Sequence, residues 1–276
     1  MNITQMNKYS LSQINIYPIK SLGGISLQSS LVEERGLQYD HRWMLVDEQN
    51  KFITQRLHPK MALLKVEINN DLLTIKHKQN KLSPLTLLPL PYDDEEINVQ
   101  IWNDNVTAIK FSHDANNWFT EAIGFKCCLV YMPDSTKRKV DPKYAKNKMV
   151  SFADGYPFLI IGEESLNDLN KRLEEPLPMT RFRTNFVFGG GKPFDEDNWK
   201  TIKIGNMVFH STKSCTRCVI TTIDQNTGTK GKEPLKTLAT FRQKDNNVMF
   251  GMNLVAAGIG KVDVCDEITI SVNLSL

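Results

Sequence analysis

Apolar and polar positions alternate in short runs along most of this chain, and few runs carry a helical period. Ile97, Val99 and Ile101 take every second position, which predicts a strand with one buried face. Residues 14–19 alternate in the same way until Pro18 interrupts them. Residues 43–46 and 51–54 flank Asp47-Glu-Gln-Asn50, and residues 63–68 and 72–75 flank Asn69-Asn-Asp71; both read as hairpins. Repeated short strands with polar turns predict a mainly β protein, a barrel rather than a parallel α/β sheet.

Helical spacing is confined to three segments. Trp118, Phe119, Ala122 and Ile123 share a face after Asp114, Leu166, Leu169 and Leu173 form a second stripe, and Leu235, Leu238 and Phe241 a third. Such stripes predict packing rather than ligand binding. Residues 132–149 are polar, lysine-rich and hold Pro133 and Pro142, which predicts a linker or a lid.

Composition narrows the class. The 276 residues, 41% hydrophobic and 24% charged, are those of a globular protein, and a net charge of +3 argues for neither nucleic-acid nor membrane binding. The N-terminus reads as neither signal peptide nor membrane anchor. Five cysteines without regular spacing point to a reducing, cytoplasmic setting.

Candidate chemistry gathers at Cys215-Thr-Arg-Cys218. A thioredoxin-like pair opens a helix, whereas residues 219–223 here are all β-branched and predict a strand, with 224–228 as a turn. A structural zinc site needs four ligands, and neither Cys127, Cys128 and Cys265 nor the scattered histidines supply a second cluster. Two readings stay open for these thiols: inert half-buried side chains, or a soft metal ligand beside the Arg217 guanidinium. Gly189-Gly-Gly-Lys192 lacks P-loop spacing and is expected to end a strand, and residues 195–197 are expected to form a solvated loop.

Six motifs occur in order: Tyr17-Pro-Ile-Lys-Ser21, Asp40-His-Arg-Trp43, Ile53-Thr-Gln-Arg56, Phe152-Ala-Asp-Gly-Tyr-Pro157, Phe182-Arg-Thr-Asn185 and Cys215-Thr-Arg-Cys218. In these the chain resembles the MOSC-domain proteins that carry an N-terminal MOSC-type β-barrel region, and among them the mitochondrial amidoxime-reducing components and their bacterial relatives. The resemblance implies an N-terminal β-rich domain over 1–130 and a MOSC barrel over 131–276. It implies the molybdenum cofactor, a pterin with a dithiolene and a phosphate, and reduction of amidoximes, hydroxylamines and N-hydroxylated bases. The alternative it leaves is a non-catalytic carrier or storage protein for that cofactor.

By the same resemblance Cys218 is the molybdenum ligand and Cys215 a companion that does not ligate. Lys20, Arg183 and Arg217 are expected around the pterin and its phosphate, with Ser21, Asn185 and Thr216 adding neutral hydrogen bonds. His41 stands where relatives carry arginine, and either His41 or Arg42 is expected to fill that place. Asp154 is expected to relay a proton or to position. Taken singly, Lys20 and Arg56 would simply be solvent-exposed, whereas Arg183 and Asn185 interrupt an apolar strand over 182–188 and need partners. No iron–sulfur cysteine cluster follows, so electrons are expected from a separate carrier, a ferredoxin, flavodoxin or cytochrome b5-like protein with its reductase.

Overall fold

The computed structural model describes residues 9–270 except 71, 81, 92 and 93. Asp71, in the expected 69–71 turn, therefore lies outside the described residues. Seven strands close into a barrel. Phe158–Gly162 pairs with Phe186–Gly189, and the ring continues through Tyr9–Ile16, Glu267–Ile270, Thr201–Ile204, Met207–Thr216 and Asn247–Ala256 back to Phe158–Gly162. Alternation sorts the side chains. Phe158 and Ile160 point into the barrel core with Leu11, Phe186, Phe209 and Leu254. Leu159 and Ile161 point outward onto Leu169, Phe182, Leu238 and Phe250, under the short helices Glu163–Asn170 and Leu235–Ala239. Burial on both faces explains why 158–161 reads as an unbroken apolar run. Where the ring closes, Gly251 has φ +83, and a Cβ there would lie 2.6 Å from Ile161 and 3.0 Å from the Ile160 carbonyl. Only glycine permits that approach at that backbone angle.

The strand Tyr9–Ile16 comes from the N-terminal part of the sequence yet sits between two strands of the barrel. We retain the division at 130/131 as a proposal about folding units, with this strand lying across it. The rest of the N-terminal part builds a four-stranded sheet, Trp43–Val46, Cys128–Tyr131, Asp104–Lys110 and Glu96–Ile101. A three-stranded sheet of Leu64–Asn69, Leu72–His77 and Leu85–Leu87 lies beside it. Trp43 and Leu45 pack toward the helix His113–Ile123, and Met44 and Val46 toward Val99, Val130 and Phe152. That helix is stopped by sequence: the Ser112 side chain accepts from the Ala115 amide, and Gly124 caps the far end at φ 84.

Two expected stretches of strand are absent. Residues 219–222 form a 3-10 turn, not a strand. The Thr221 and Thr222 hydroxyls bond back to the Cys218 and Val219 carbonyls, and Arg181 caps the Thr221 carbonyl at 2.9 Å. Those bonds outweigh the strand preference of β-branched residues. Residues 182–185 are likewise not strand: a 3-10 turn Met179–Phe182 ends at Arg183 with φ 53, and the strand begins at Phe186. The expected turns at 189–191 and 224–228 are present. The segment 132–149 has no helix or strand of its own.

Candidate functional site

One cavity of about 350 Å³ gathers residues from distant parts of the sequence. Lys20, Ser21, His41, Asp154, Arg183, Asn185, Thr216, Arg217 and Cys218 all line it. Arg56, Lys213 and Asp40 line it as well. The exception among the expected residues is Arg42. Its guanidinium turns to a separate surface pocket, bonding Asp134, the Met132 carbonyl and the Tyr131 hydroxyl. Of the neighbours His41 and Arg42, only His41 faces the cavity.

Backbone geometry aims these side chains. Ser21, His41 and Arg183 hold φ of 67, 51 and 53, the left-handed region that non-glycine residues seldom adopt. Such strain persists only where surrounding structure enforces it and gathers at functional sites. The strand Met207–Thr216 slips register against Asn247–Ala256 between Ser211 and Thr216. Such a bulge re-aims side chains. Past it, the Arg217 amide bonds the Val248 carbonyl at 2.8 Å, and Cys218 precedes the 3-10 turn. No α-helix opens at this cysteine pair, so the ground for setting aside a thioredoxin-like site is the 3-10 turn rather than the expected strand.

The cavity is strongly cationic. Lys20, Arg56, Arg183, Lys213 and Arg217 face it against two carboxylates, Asp40 and Asp154. Lys20 is 3% exposed, not solvated as its sequence context alone implied. Its Nζ donates to Asp154 Oδ1 at 2.6 Å and to the Phe152 carbonyl at 2.8 Å. Burial drives its pKa down to about 8, against the opposing pull of Asp154. Arg183 stacks on Tyr17 at 4.2 Å and donates to the Leu22 carbonyl at 2.6 Å. Arg217 donates to Cys215 Sγ at 3.0 Å and to the Phe182 carbonyl. Arg56 donates to Asp154 Oδ2 at 2.6 Å. Burial alone would lower the Arg56 pKa, but Asp154 and then Cys218 raise it above the ordinary value.

Three donors on these arginines, Arg56 Nη1, Arg183 Nη2 and Arg217 Nε, are buried without a hydrogen-bond partner. A buried unpartnered donor is costly, more so on a cation. Three around one cavity fit a site shaped for an acceptor-rich anion.

Asp154 carries two cations, Lys20 and Arg56, although its side chain is 52% exposed. Burial would raise its pKa, but Lys20 and then Arg56 outweigh that and hold the carboxyl well below its usual range. A carboxylate so held stays ionised at neutral pH, which suits positioning better than proton donation. His41 Nδ1 lies 2.7 Å from Asp40 Oδ2, and Asp40 Oδ1 accepts the Tyr17 amide. Since a carboxylate only accepts, Nδ1 carries the proton there. Asn185 stitches two strands, accepting the Leu159 amide and donating to the Asn15 carbonyl. The Thr216 hydroxyl lies 3.6 Å from Met249 sulfur.

Arg56, Asp40 and Lys213 were missed as site residues. For Arg56 and Asp40 the signal was their place in the Ile53-Thr-Gln-Arg56 and Asp40-His-Arg-Trp43 motifs; no motif marked Lys213. Among the described residues no group of three or more His, Cys, Asp or Glu side chains could hold a metal ion. Nor is any helix among them long and apolar enough to cross a membrane.

Comparison with known proteins identifies the family. Residues 8–126 match the MOSC N-terminal beta barrel domain and residues 147–269 the MOSC domain. Mitochondrial amidoxime reducing component 2 of Rattus norvegicus is 31% identical, over 94% of this chain and 82% of its own length. Mitochondrial amidoxime-reducing component 1 of Mus musculus is 30% identical, over 86% of this chain and 72% of its own. A molybdenum cofactor sulfurase of Oryza sativa subsp. japonica is 33% identical over 88% of this chain, which spans only 32% of that larger protein. With both domains matched in order and about 30% identity kept over nearly its whole length, the chain belongs to the MOSC family, with an N-terminal MOSC β-barrel domain ahead of its MOSC domain.

Proposed function

We propose that this protein binds the molybdenum cofactor in the cationic cavity and reduces N-hydroxylated compounds such as amidoximes, hydroxylamines and N-hydroxylated bases. The observation that carries the reading is the set of three unpartnered arginine donors around a cavity that also holds the Cys218 thiol. The cofactor is an anion rich in oxygen and sulfur acceptors, and the cavity supplies buried cations and two thiols, Cys215, which accepts from Arg217, and Cys218. Arg183 and Arg217, with Lys20 behind them, would hold the pterin and phosphate, and Cys218 would ligate molybdenum. Bound there, the cofactor would supply the two-electron chemistry that removes the N–OH oxygen as water.

The chain's own residues do the rest. Asp154 holds Lys20 and Arg56 in place beside Cys218, and its own charge persists at neutral pH. Lys20, with its pKa near 8, is the group able to exchange a proton near neutrality. His41, with Nδ1 tied to Asp40, is fixed in orientation at the cavity wall. Both electrons would come from a separate carrier, a ferredoxin, flavodoxin or cytochrome b5-like protein. The reductase reading is preferred over a carrier or storage protein because Asp154 and Lys20 arrange proton and charge beside the ligand, which storage does not need.

Metal and pterin analysis of protein purified from a cofactor-competent host tests the binding half. We expect about one molybdenum per chain and loss of benzamidoxime reduction, driven by a chemical donor, in Cys218→Ala. Stoichiometric cofactor with no turnover of any N-hydroxylated compound would favour the storage protein, and absence of molybdenum would overturn both.

A further inference from the structure

The strands Glu96–Ile101 and Asp104–Lys110 pair Ile101 with Asp104, which leaves Trp102 and Asn103 as a two-residue turn. Such turns require positive φ and favour asparagine and glycine. Here the first position is tryptophan at φ 54, a costly choice for so bulky a side chain. Core packing does not explain it, since Trp102 is 41% exposed. Its contacts do point one way. The indole Nε1 donates to Asp154 Oδ1 at 3.2 Å. The Arg56 guanidinium lies 4.7 Å above its ring, and Phe52 packs against it at 5.0 Å.

The next strand residue but one acts on the same loop from behind. Asp104 Oδ2 accepts from Arg138 Nε at 2.8 Å. Arg138 then donates Nη1 to the Ser151 and Ala153 carbonyls, at 2.7 and 2.5 Å, and Nη2 to the Asp154 carbonyl at 3.1 Å. Arg138 is almost fully buried, and both its terminal nitrogens are spent on the 151–154 backbone. The carboxylate of Asp154 and the backbone that carries it are thus held by the two ends of one turn.

We propose that this turn is the positioning device of the cavity: Trp102 orients the Asp154 carboxylate and the Arg56 guanidinium beside Cys218, while Asp104, through Arg138, fixes the 151–154 backbone. The role in turnover rests on the reductase reading above; the positioning itself does not. It gives the N-terminal barrel region a part in the chemistry of the MOSC cavity, and it accounts for the strained tryptophan.

The test uses full-length Trp102→Ala, Trp102→Phe and Asp104→Asn. In protein without cofactor, amide hydrogen exchange over 152–156 should quicken in Trp102→Ala and Asp104→Asn, while the strands Phe158–Gly162 and Asn247–Ala256 keep their rates. In loaded protein, Trp102→Ala should lower kcat for benzamidoxime with a chemical donor by about tenfold or more, the worth of one hydrogen bond to a charged group, with KM within about twofold. Trp102→Phe keeps the ring over Arg56 and should recover part of that loss. Unchanged exchange over 152–156 in Trp102→Ala would overturn the proposal, as would a uniform rise across the barrel, which marks general destabilisation. Wild-type protein that turns over no N-hydroxylated compound would overturn the reductase reading instead, leaving the exchange measurement to decide the positioning alone.

Discussion

At the scale of the residue, Lys20 sets a pH limit. Its ordinary pKa of 10.5 falls to about 8 because burial penalises the ammonium more than Asp154 supports it. Anion binding that relies on this charge should weaken as pH rises through about 8. Calorimetric titration of the cofactor-free protein with sulfate, whose own charge is constant there, should show that decline, and Lys20→Met should abolish it. The two cysteines should separate cleanly. Cys215 Sγ accepts an Arg217 donor at 3.0 Å and donates to the Thr216 carbonyl at 3.8 Å, so Cys215→Ser, which keeps both an acceptor and a donor there, should retain molybdenum and activity within about threefold. Equal loss in Cys215→Ser and Cys218→Ala would assign the wrong ligand. His41 against Arg42 shows where sequence alone stops. Adjacent residues with similar chemistry face different cavities because φ 51 at His41 turns the chain, and nothing local in the sequence announces a left-handed histidine.

At the scale of the element, the segment 195–198 behaves unlike the solvated loop its three acidic residues suggested. It is a 3-10 turn, and Glu196 is fully buried. The Glu196 carboxylate accepts the Ser165 hydroxyl at 2.9 Å and the Gly162 amide at 3.3 Å, tying this turn to the start of the helix Glu163–Asn170. Burial raises its pKa from 4.5 to about 7, despite the bonds it accepts. The folded state therefore holds this proton more tightly than the unfolded chain. The contribution is fully present below pH 4.5 and is lost as pH rises through about 7. That amounts to an order of 3 kcal/mol. Urea unfolding of wild type should show a lower midpoint at pH 8 than at pH 5.5, and Glu196→Gln should reduce the difference. An acidic triplet is normally exposed. Only the hydroxyl and amide brought from another element make burial of the middle residue tolerable.

At the scale of the whole molecule, the barrel depends on its earliest strand. Without Tyr9–Ile16, the strands Phe186–Gly189 and Glu267–Ile270 become open edges, and Leu11, Ile14 and Ile16 leave the core. Protein beginning after residue 16 should lose cooperative unfolding by circular dichroism; a folded truncation would show that the barrel closes another way. Charge is also unevenly placed. Residues 137–148 hold five lysines against one aspartate, besides the buried Arg138, within a chain of net charge +3. Lys143 and Lys213 both lie over Tyr144, and Lys213 reaches the cavity mouth. Under the reductase reading, an acidic electron carrier would meet this rim. Raising salt from 50 to 500 mM should slow carrier-driven turnover by about tenfold and leave turnover with a chemical donor nearly unchanged. Equal salt effects on both would argue against docking there.

Local pattern alone marked most of the strands and turns, and most of the residues that line the cavity. Period-two alternation, β-hairpin turns, the three helical stripes and the six ordered motifs are local properties, legible without coordinates. Tertiary structure alone decided which residues meet. Lys20, Asp154, Arg183 and Cys218 converge because a strand from the N-terminus closes a barrel built from the C-terminal half. Pairings across more than a hundred residues leave no periodic trace. It also decided against local preference, turning β-branched 219–222 into a 3-10 turn and holding tryptophan at positive φ. Hydrogen bonds and packing from distant segments outweigh the roughly 1 kcal/mol that separates local propensities.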